Sequence, residues 1–294
     1  MTYQKRRLKF QFKLSAGAFD DKGNDTLTID NIKANVNVGG YGGVSGTVLN
    51  AEVYGLGLER MAMLSFKGIQ YERTIQNMMK VWANDELIFT GSIGSCYTDL
   101  GRMPDAPLII QATSTGYDQS VPMKDFHVQG DAKVADIISS IAKIIGYQAV
   151  IGDSVNDVES DPFYTGNYIE QITACARAHN LNWDFRNGTI YVWKEGDTID
   201  KTVPLVSAKS GLIGYPIFNG WGVSITTMFS SLLVRGRNLQ LQTDLPNASG
   251  LYGINNSQYI LSTWQEGGPW FTQCGLTMYP YGLPNDKQVQ NPAG

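Results

Sequence analysis

Leu8-Lys9-Phe10-Gln11-Phe12-Lys13-Leu14 alternates apolar and polar residues without a break. A period of two places every apolar side chain on one face of an extended strand, and no helix reproduces it. Comparable runs occur at Leu27–Val38, at Ile109–Thr113, and at Met79–Val81 and Leu87–Phe89 around Ala83-Asn84-Asp85-Glu86. They return beyond residue 200 in RNLQLQT and WFTQCGLTMY, and SGLYGINNSQYILSTW reads as two strands around a polar turn. Short strands with turn residues at close intervals restrict such a chain to barrels or sandwiches. The predicted fold class is therefore mainly β.

Residues 121–200 break the pattern. Val134, Ile137, Ile138, Ile141, Ile144 and Ile145 follow helical spacing, with Lys133, Asp136 and Lys143 on the opposite face. Asp131 is placed to cap this helix and Gly146 to end it in the left-handed conformation. A second helix is expected over Gly166–Asn180, capped by Thr165, with Tyr168, Ile172, Cys175 and Ala176 on one face. Asn187-Gly188 inside WDFRNGTIYVW then predicts a hairpin, because a type I′ turn needs two residues at positive φ. A shorter helix is expected where Leu56, Arg60, Met61 and Leu64 fall at helical spacing. The organisation that follows is a β region over 1–120, a small α+β module over 121–200, a second β region over 201–280 and an extended or disordered tail over 281–294.

Few function classes survive the composition. Charged residues make up 17% of the chain, against ~25% in ordinary domains, so surface is expected to be hidden against partners. A net charge of −4 gives no electrostatic basis for gripping nucleic acid. Cys96, Cys175 and Cys274 are far apart and form no CxxC pair, which leaves them as small apolar fillers in a reducing compartment. After the basic Lys5-Arg6-Arg7 comes alternation rather than an apolar export segment. No stretch approaches the ~18 apolar residues of a membrane helix, so a soluble, cytoplasmically made protein without a membrane anchor is expected.

Chemistry finds no foothold. The stretch KSGLIGYPIFNGWGVSITTMF holds Gly211, Gly214, Gly220 and Gly222, but a phosphate loop requires GxxxxGK[ST] leading into a helix. No Lys follows, Pro216 removes a donor, and Val223–Thr226 is a strand pattern, so these glycines belong to turns and strand entries. Asp157, Glu159 and Asp161 match positions 1, 3 and 5 of a calcium loop, but position 6 is Pro162 and position 12 is Tyr168. A solvated loop between helices is the expectation there. His127 and His179 lack a third ligand at metal spacing, and no GxSxG elbow occurs. Asp118, Asp125, Glu170 and Asp184 are candidate carboxylates only because any long chain has some, and Asp184 is expected on an exposed strand face. The sequence nominates no catalytic, metal-binding or cofactor-binding residue.

Several local patterns resemble, in order, those of the central baseplate hub proteins of contractile-tailed, Mu-like bacteriophages. They are Tyr54-Gly55-Leu56 with Met61 and Leu64, Phe89-Thr90-Gly91-Ser92-Ile93, Pro104-Asp105-Ala106-Pro107-Leu108 and the two-helix module with NGTIYVW. Ser210-Gly211-Leu212-Ile213-Gly214-Tyr215-Pro216, leading to Gly222-Val223 and Phe229, is the most specific, and Gly236, Gly250 and Gly267-Gly268-Pro269-Trp270 complete the set. The resemblance covers about residues 8–280, and departs from the family where Ser230-Ser231 replaces its Asn-Pro. It implies two tube-like β-barrel domains flanking the α+β module, and a homotrimer whose six barrels match the six-fold tail tube. It also implies contact with tail-tube or tube-initiator proteins, the spike and other baseplate proteins. DNA and tape-measure protein would pass through a central channel without sequence-specific binding, in a virion assembled in the host cytoplasm. An enzyme is not expected. The alternative is a tail-associated protein that binds or degrades peptidoglycan, because the pattern over 131–193 loosely resembles peptidoglycan-binding folds.

Overall fold

Alternation becomes burial at the first strand: Leu8, Phe10 and Phe12 are fully enclosed, while Lys9, Gln11 and Lys13 stay on the other side. Each such side chain contributes roughly 1.5–3 kcal/mol when removed from water, so the face of every strand is fixed by its sequence. The computed structural model describes residues 6–67, 76–220 and 222–278. The tail over 281–294, Lys5 and Trp221 lie outside the described residues.

The first part comprises β1 (Leu8–Lys13), β2 (Thr26–Asp30), β3 (Ala34–Gly42), β4 (Gly46–Val53), α1 (Leu58–Leu64), β5 (Met78–Ala83), β6 (Glu86–Thr98) and β7 (Leu108–Thr113). The middle comprises α2 (Gly116–Ser120), β8 (Phe126–His127), β9 (Asp131–Lys133), α3 (Val134–Ile144), β10 (Gln148–Ile151), β11 (Val158–Ser160), β12 (Phe163–Tyr164), α4 (Tyr168–Ala178), β13 (Leu181–Arg186) and β14 (Thr189–Lys194). The last part comprises β15 (Leu205–Val206), β16 (Leu212–Asn219), β17 (Gly222–Met228), β18 (Asn238–Leu241), β19 (Gly250–Thr263) and β20 (Trp270–Thr277).

The mainly-β expectation holds. The two β regions, however, share one sheet in the order β16-β17-β20-β19-β3-β4-β7-β6-β5-β1-β2, with β18 beside β19 and β15 beside β18. β19 joins the halves by pairing antiparallel to β3, from Ser257↔Gly40 to Thr263↔Ala34. This path is open, ending at β16 and β2, and does not close into barrels among the described residues. Three buried clusters stabilise it: one under β1–β7 with Met61 and Leu64 of α1, one inside the middle module, and one under β17–β20. The module docks on the sheet through polar contacts. Arg235 Nη1 donates to the Trp183 carbonyl at 3.3 Å, and Asn187 Nδ2 donates to the Leu87 carbonyl at 3.0 Å.

Several local expectations are corrected. Leu27–Val38 is two strands, because Asn31 takes a φ of 54° between β2 and β3. SGLYGINNSQYILSTW is one strand, β19, with an irregularity between Ile254 and Asn256. There Asn256 Oδ1 accepts from the Gly275 N–H, so the polar residues satisfy a bulge and no turn forms. Asp131 caps nothing: it lies in β9 and accepts from the Ser160 hydroxyl, and Lys133 occupies the N-cap position of α3 without a side-chain bond. Ile144 is 61% exposed, since it sits at the margin of the stripe in the last turn. Gly146 does take a φ of 80° after α3, and Asn187 and Gly188 take 53° and 79°.

Asn167, not Thr165, caps α4. Its Oδ1 accepts from the Glu170 N–H at 2.9 Å while Glu170 Oε2 accepts from the Asn167 N–H at 2.8 Å, a reciprocal capping box. Replacing Asn167 by alanine is expected to remove about 1 kcal/mol, read as a lower urea midpoint with an unchanged slope. In the glycine-rich stretch, Gly222 has a φ of 150°, and a Cβ there would lie 2.1 Å from the Leu276 carbonyl oxygen. Gly222→Ala is expected to destabilise by about 1–3 kcal/mol, measured as a fall in melting temperature. The glycine serves close strand packing.

Candidate functional site

The acidic and imidazole side chains are dispersed, each held by a local partner. Asp118, on α2, is buried and accepts from Tyr147 Oη at 3.0 Å; burial pushes its carboxyl up to about 7. Asp184 is only 1% exposed, not on an open strand face as expected, and Arg186 Nε lies 3.0 Å from its Oδ2. That pair borders a cleft of about 170 Å³ between module and sheet, together with Arg235, Arg237 and Tyr259. β13 sends Leu181, Trp183 and Phe185 into the module core, and the strand also lies against β3 and β4 of the sheet, which leaves Asp184 enclosed.

Glu170 is engaged in the capping box, and Asp125 and His127 are exposed. His179 ends α4, as expected, with Nε2 3.0 Å from Glu159 Oε2. Of the acidic triplet, Asp157 and Asp161 lie in irregular segments between α3 and α4, as expected, and a short strand intervenes. Glu159 lies in β11, Asp157 accepts from Lys194 at 3.0 Å, and Asp161 accepts from the Gly130 N–H at 2.6 Å. Among the described residues no three of His, Cys, Asp and Glu come together as metal ligands. The three cysteines are free and buried, and burial pushes the Cys96 and Cys274 thiols up to about 12.

What the sheet does assemble is a surface. Opposite its buried face, register aligns Asn37 with Asn50, Asn50 with Gln111, and Gln111 with Ser95. Beside them Thr226 faces Gln273, and Gln273 faces Gln258, whose Nε2 donates to Asn37 Oδ1 at 2.7 Å. Two grooves open on this side, one of about 480 Å³ lined by Ser224, Thr226, Gln258 and Gln273, the other of about 300 Å³ lined by Asn37, Asn50 and Gln111. The seven consecutive strands β16-β17-β20-β19-β3-β4-β7 contain one charged residue, Glu52. The Arg102 guanidinium, donating at 2.7 Å, and the Tyr54 hydroxyl hold its carboxyl down to about 2. At one end of the path, β16 exposes Tyr215, Ile217 and Phe218, Ile217 by 68%. Sequence reasoning missed the amide surface. Its signal was present as Asn and Gln at alternate positions of strands, where β-branched residues such as threonine are more usual.

The fold is similar to that of several tail proteins. The tail protein of Neisseria meningitidis MC58 superposes with a TM-score of 0.63 at 10% identity, covering 92% of this chain and 96% of that one. The prophage MuSo2 43 kDa tail protein of Shewanella oneidensis gives 0.58 at 8% identity, again covering 92% of this chain and 96% of that one. The E. coli c3393 protein, a type VI secretion component with structural similarity to the T4 tail proteins gp27 and gp5, gives 0.58 at 10% identity, covering 85% and 74%. At these identities the likeness is one of fold. No curated protein matches the sequence significantly. A family described as baseplate hub gp41 matches residues 77–271, more than half of the chain, from β5 to the start of β20. The chain belongs to the baseplate hub gp41 family of phage tail proteins.

Proposed function

We propose that this chain is a structural subunit of a contractile-tail baseplate. It forms a trimeric central hub that joins the six-fold tail tube to the three-fold spike and surrounds the channel through which DNA leaves. Residues 1–120 and 201–280 act as the two tube-like halves, with the 121–200 module between them. The role is architectural and without catalysis, and it is carried out in the virion. Membership of the baseplate hub family supports this reading. The observation that favours a closed ring is the open strand path, with an edge at each end that no strand among the described residues covers, and exposed apolar side chains at β16. Surfaces of unlike kind at opposite ends suit head-to-tail contacts, and these close into a cyclic oligomer when the rotation permits.

Three chains of 32.3 kDa give a ring of roughly 97 kDa, with apolar interfaces on the order of 2,000 Å² if assembly is obligate. Co-expression with the cognate spike, followed by light scattering, is expected to yield three hub chains per spike trimer. Apolar contacts should keep that complex intact in salt that dissolves a charge-held one. Two or six hub chains per spike trimer would overturn the three-fold reading. Reproducible cleavage of peptidoglycan by the pure protein would overturn the architectural one.

A further inference from the structure

We propose that the cleft between β13 and the long sheet is a binding site for inorganic phosphate, with Arg186 holding charged oxygens of the ion and Asp184 accepting from its hydroxyl. The assignment is independent of the trimeric reading above.

The cleft lies where the module meets both halves of the sheet. Asp184 and Arg186 enter it from β13, Arg235 and Arg237 from the segment between β17 and β18, and Tyr259 from β19. Its volume of about 170 Å³ accepts several waters at ~30 Å³ each, or one tetrahedral oxyanion.

Three guanidiniums line this cleft against a single carboxylate. Arg237 is already engaged: Asp200 Oδ2 accepts from its Nε at 2.9 Å and from its Nη2 at 2.6 Å, and its Nη1 donates to the Leu232 carbonyl. Arg235 donates to the Trp183 carbonyl and to Asn182 Oδ1, both at 3.3 Å. Asp200 offsets Arg237, and Asp184 offsets one of the other two, so the cleft keeps a positive charge. Its field favours an anion.

Asp184 and Arg186 are the members with bonding capacity left over. Their side chains are 1% and 15% exposed, and the 3.0 Å approach of Arg186 Nε to Asp184 Oδ2 is an ion-pair contact without hydrogen-bond alignment. Arg186 Nε and Nη2 and both Asp184 oxygens are enclosed and hydrogen-bond to no described residue. Buried polar atoms of folded proteins are almost always satisfied, so these four call for a partner from outside the chain. Water would satisfy them singly but would leave the surplus charge unmatched.

Together they select one kind of anion. The two donors of Arg186 suit the oxygens of an oxyanion. An ionised Asp184 can only accept, so an anion beside it has to bring a proton of its own. Inorganic phosphate carries one at neutral pH, and sulfate carries none. A phosphodiester also lacks one, so the DNA backbone is excluded from the same contacts.

Titration calorimetry of the full chain at neutral pH, with sodium phosphate and with sodium sulfate at matched ionic strength, tests the site. Phosphate is expected to saturate one site per chain, and sulfate to bind about tenfold more weakly or worse. Arg186→Gln should weaken phosphate by about tenfold or more. Asp184→Asn should erase the preference, because an amide N–H can donate to sulfate. Methyl phosphate distinguishes the free ion from a monoester: it should bind only as pH falls towards about 6, where it regains a proton. Thermal melting in anion-free buffer checks that both variants fold, and the comparison of the two anions on the wild type needs neither variant. A wild type that takes up neither anion, or both equally, overturns the proposal. A preference for phosphate that persists in folded Asp184→Asn overturns the part given to Asp184.

Discussion

Ile141→Asp is expected to unfold the middle module. Ile141 is fully buried on α3, among Val134, Ile137 and Ile138 and opposite Ile169 and Ile172 of α4 in one apolar cluster. No cation belongs to that cluster, so a carboxylate there would either stay charged without a partner or take up a proton and still lack one. Either outcome costs several kcal/mol, on the order of 4, which is a large share of a domain's stability. Ile141→Ala tests the same site more gently and should cost about 2–5 kcal/mol, depending on how far the cavity collapses. Trp183 and Trp193 are buried in β13 and β14, so their fluorescence reports the loss alongside helical circular dichroism. An Ile141→Asp protein as stable as the wild type would show that this face of α3 has been assigned wrongly.

The second large effect is a dependence on pH. Asp118 titrates at about 7 in the folded chain against 3.8 when unperturbed, because burial penalises its charge more than the Tyr147 hydroxyl relieves it. Between those values the native state binds the proton more tightly than the unfolded chain, so stability falls as pH rises from about 4 to about 7 and is level beyond. A difference of that size corresponds to roughly 4 kcal/mol. Asp118→Asn keeps an oxygen for Tyr147 and cannot ionise. The variant should therefore be more stable than wild type at pH 8, with the difference vanishing at pH 4. Urea titrations of both proteins at pH 4, 6 and 8 read this directly, and a constant difference would remove Asp118 as its source.

Much of the local structure was legible because its causes are local. Period-two runs marked β1, β7 and β20. Asn187-Gly188 marked the hairpin of β13 and β14, and Ile137, Ile138 and Ile141 marked the buried face of α3. Alternation gives a strand its two faces but names no neighbour, and for that reason the pairing of β19 with β3 was not legible. Caps were misplaced where two candidates stood within a few residues, as with Thr165 and Asn167. Asp184 was misjudged because its burial comes from the sheet docking on the module, a contact with no trace in β13 itself. The hub family was legible from turn and packing motifs such as those around Gly211 and Gly214. These motifs carry no chemistry, so the amide face, made of residues far apart in the chain, could not be read from them.

The joint between β3 and β19 also bears on how the chain is made. Gln258 reaches Asn37 across 221 residues of sequence. At about 5–20 residues per second on the ribosome, roughly 10–40 s separate the synthesis of those two positions. Throughout that interval one edge of β3 has no strand to pair with, and an unpaired edge is a template for another chain. Nascent chains crowded on one message would meet at that edge first. A helper that covers β3 until β19 emerges, or slow initiation that spaces the ribosomes apart, would raise the yield of folded hub without altering the finished protein.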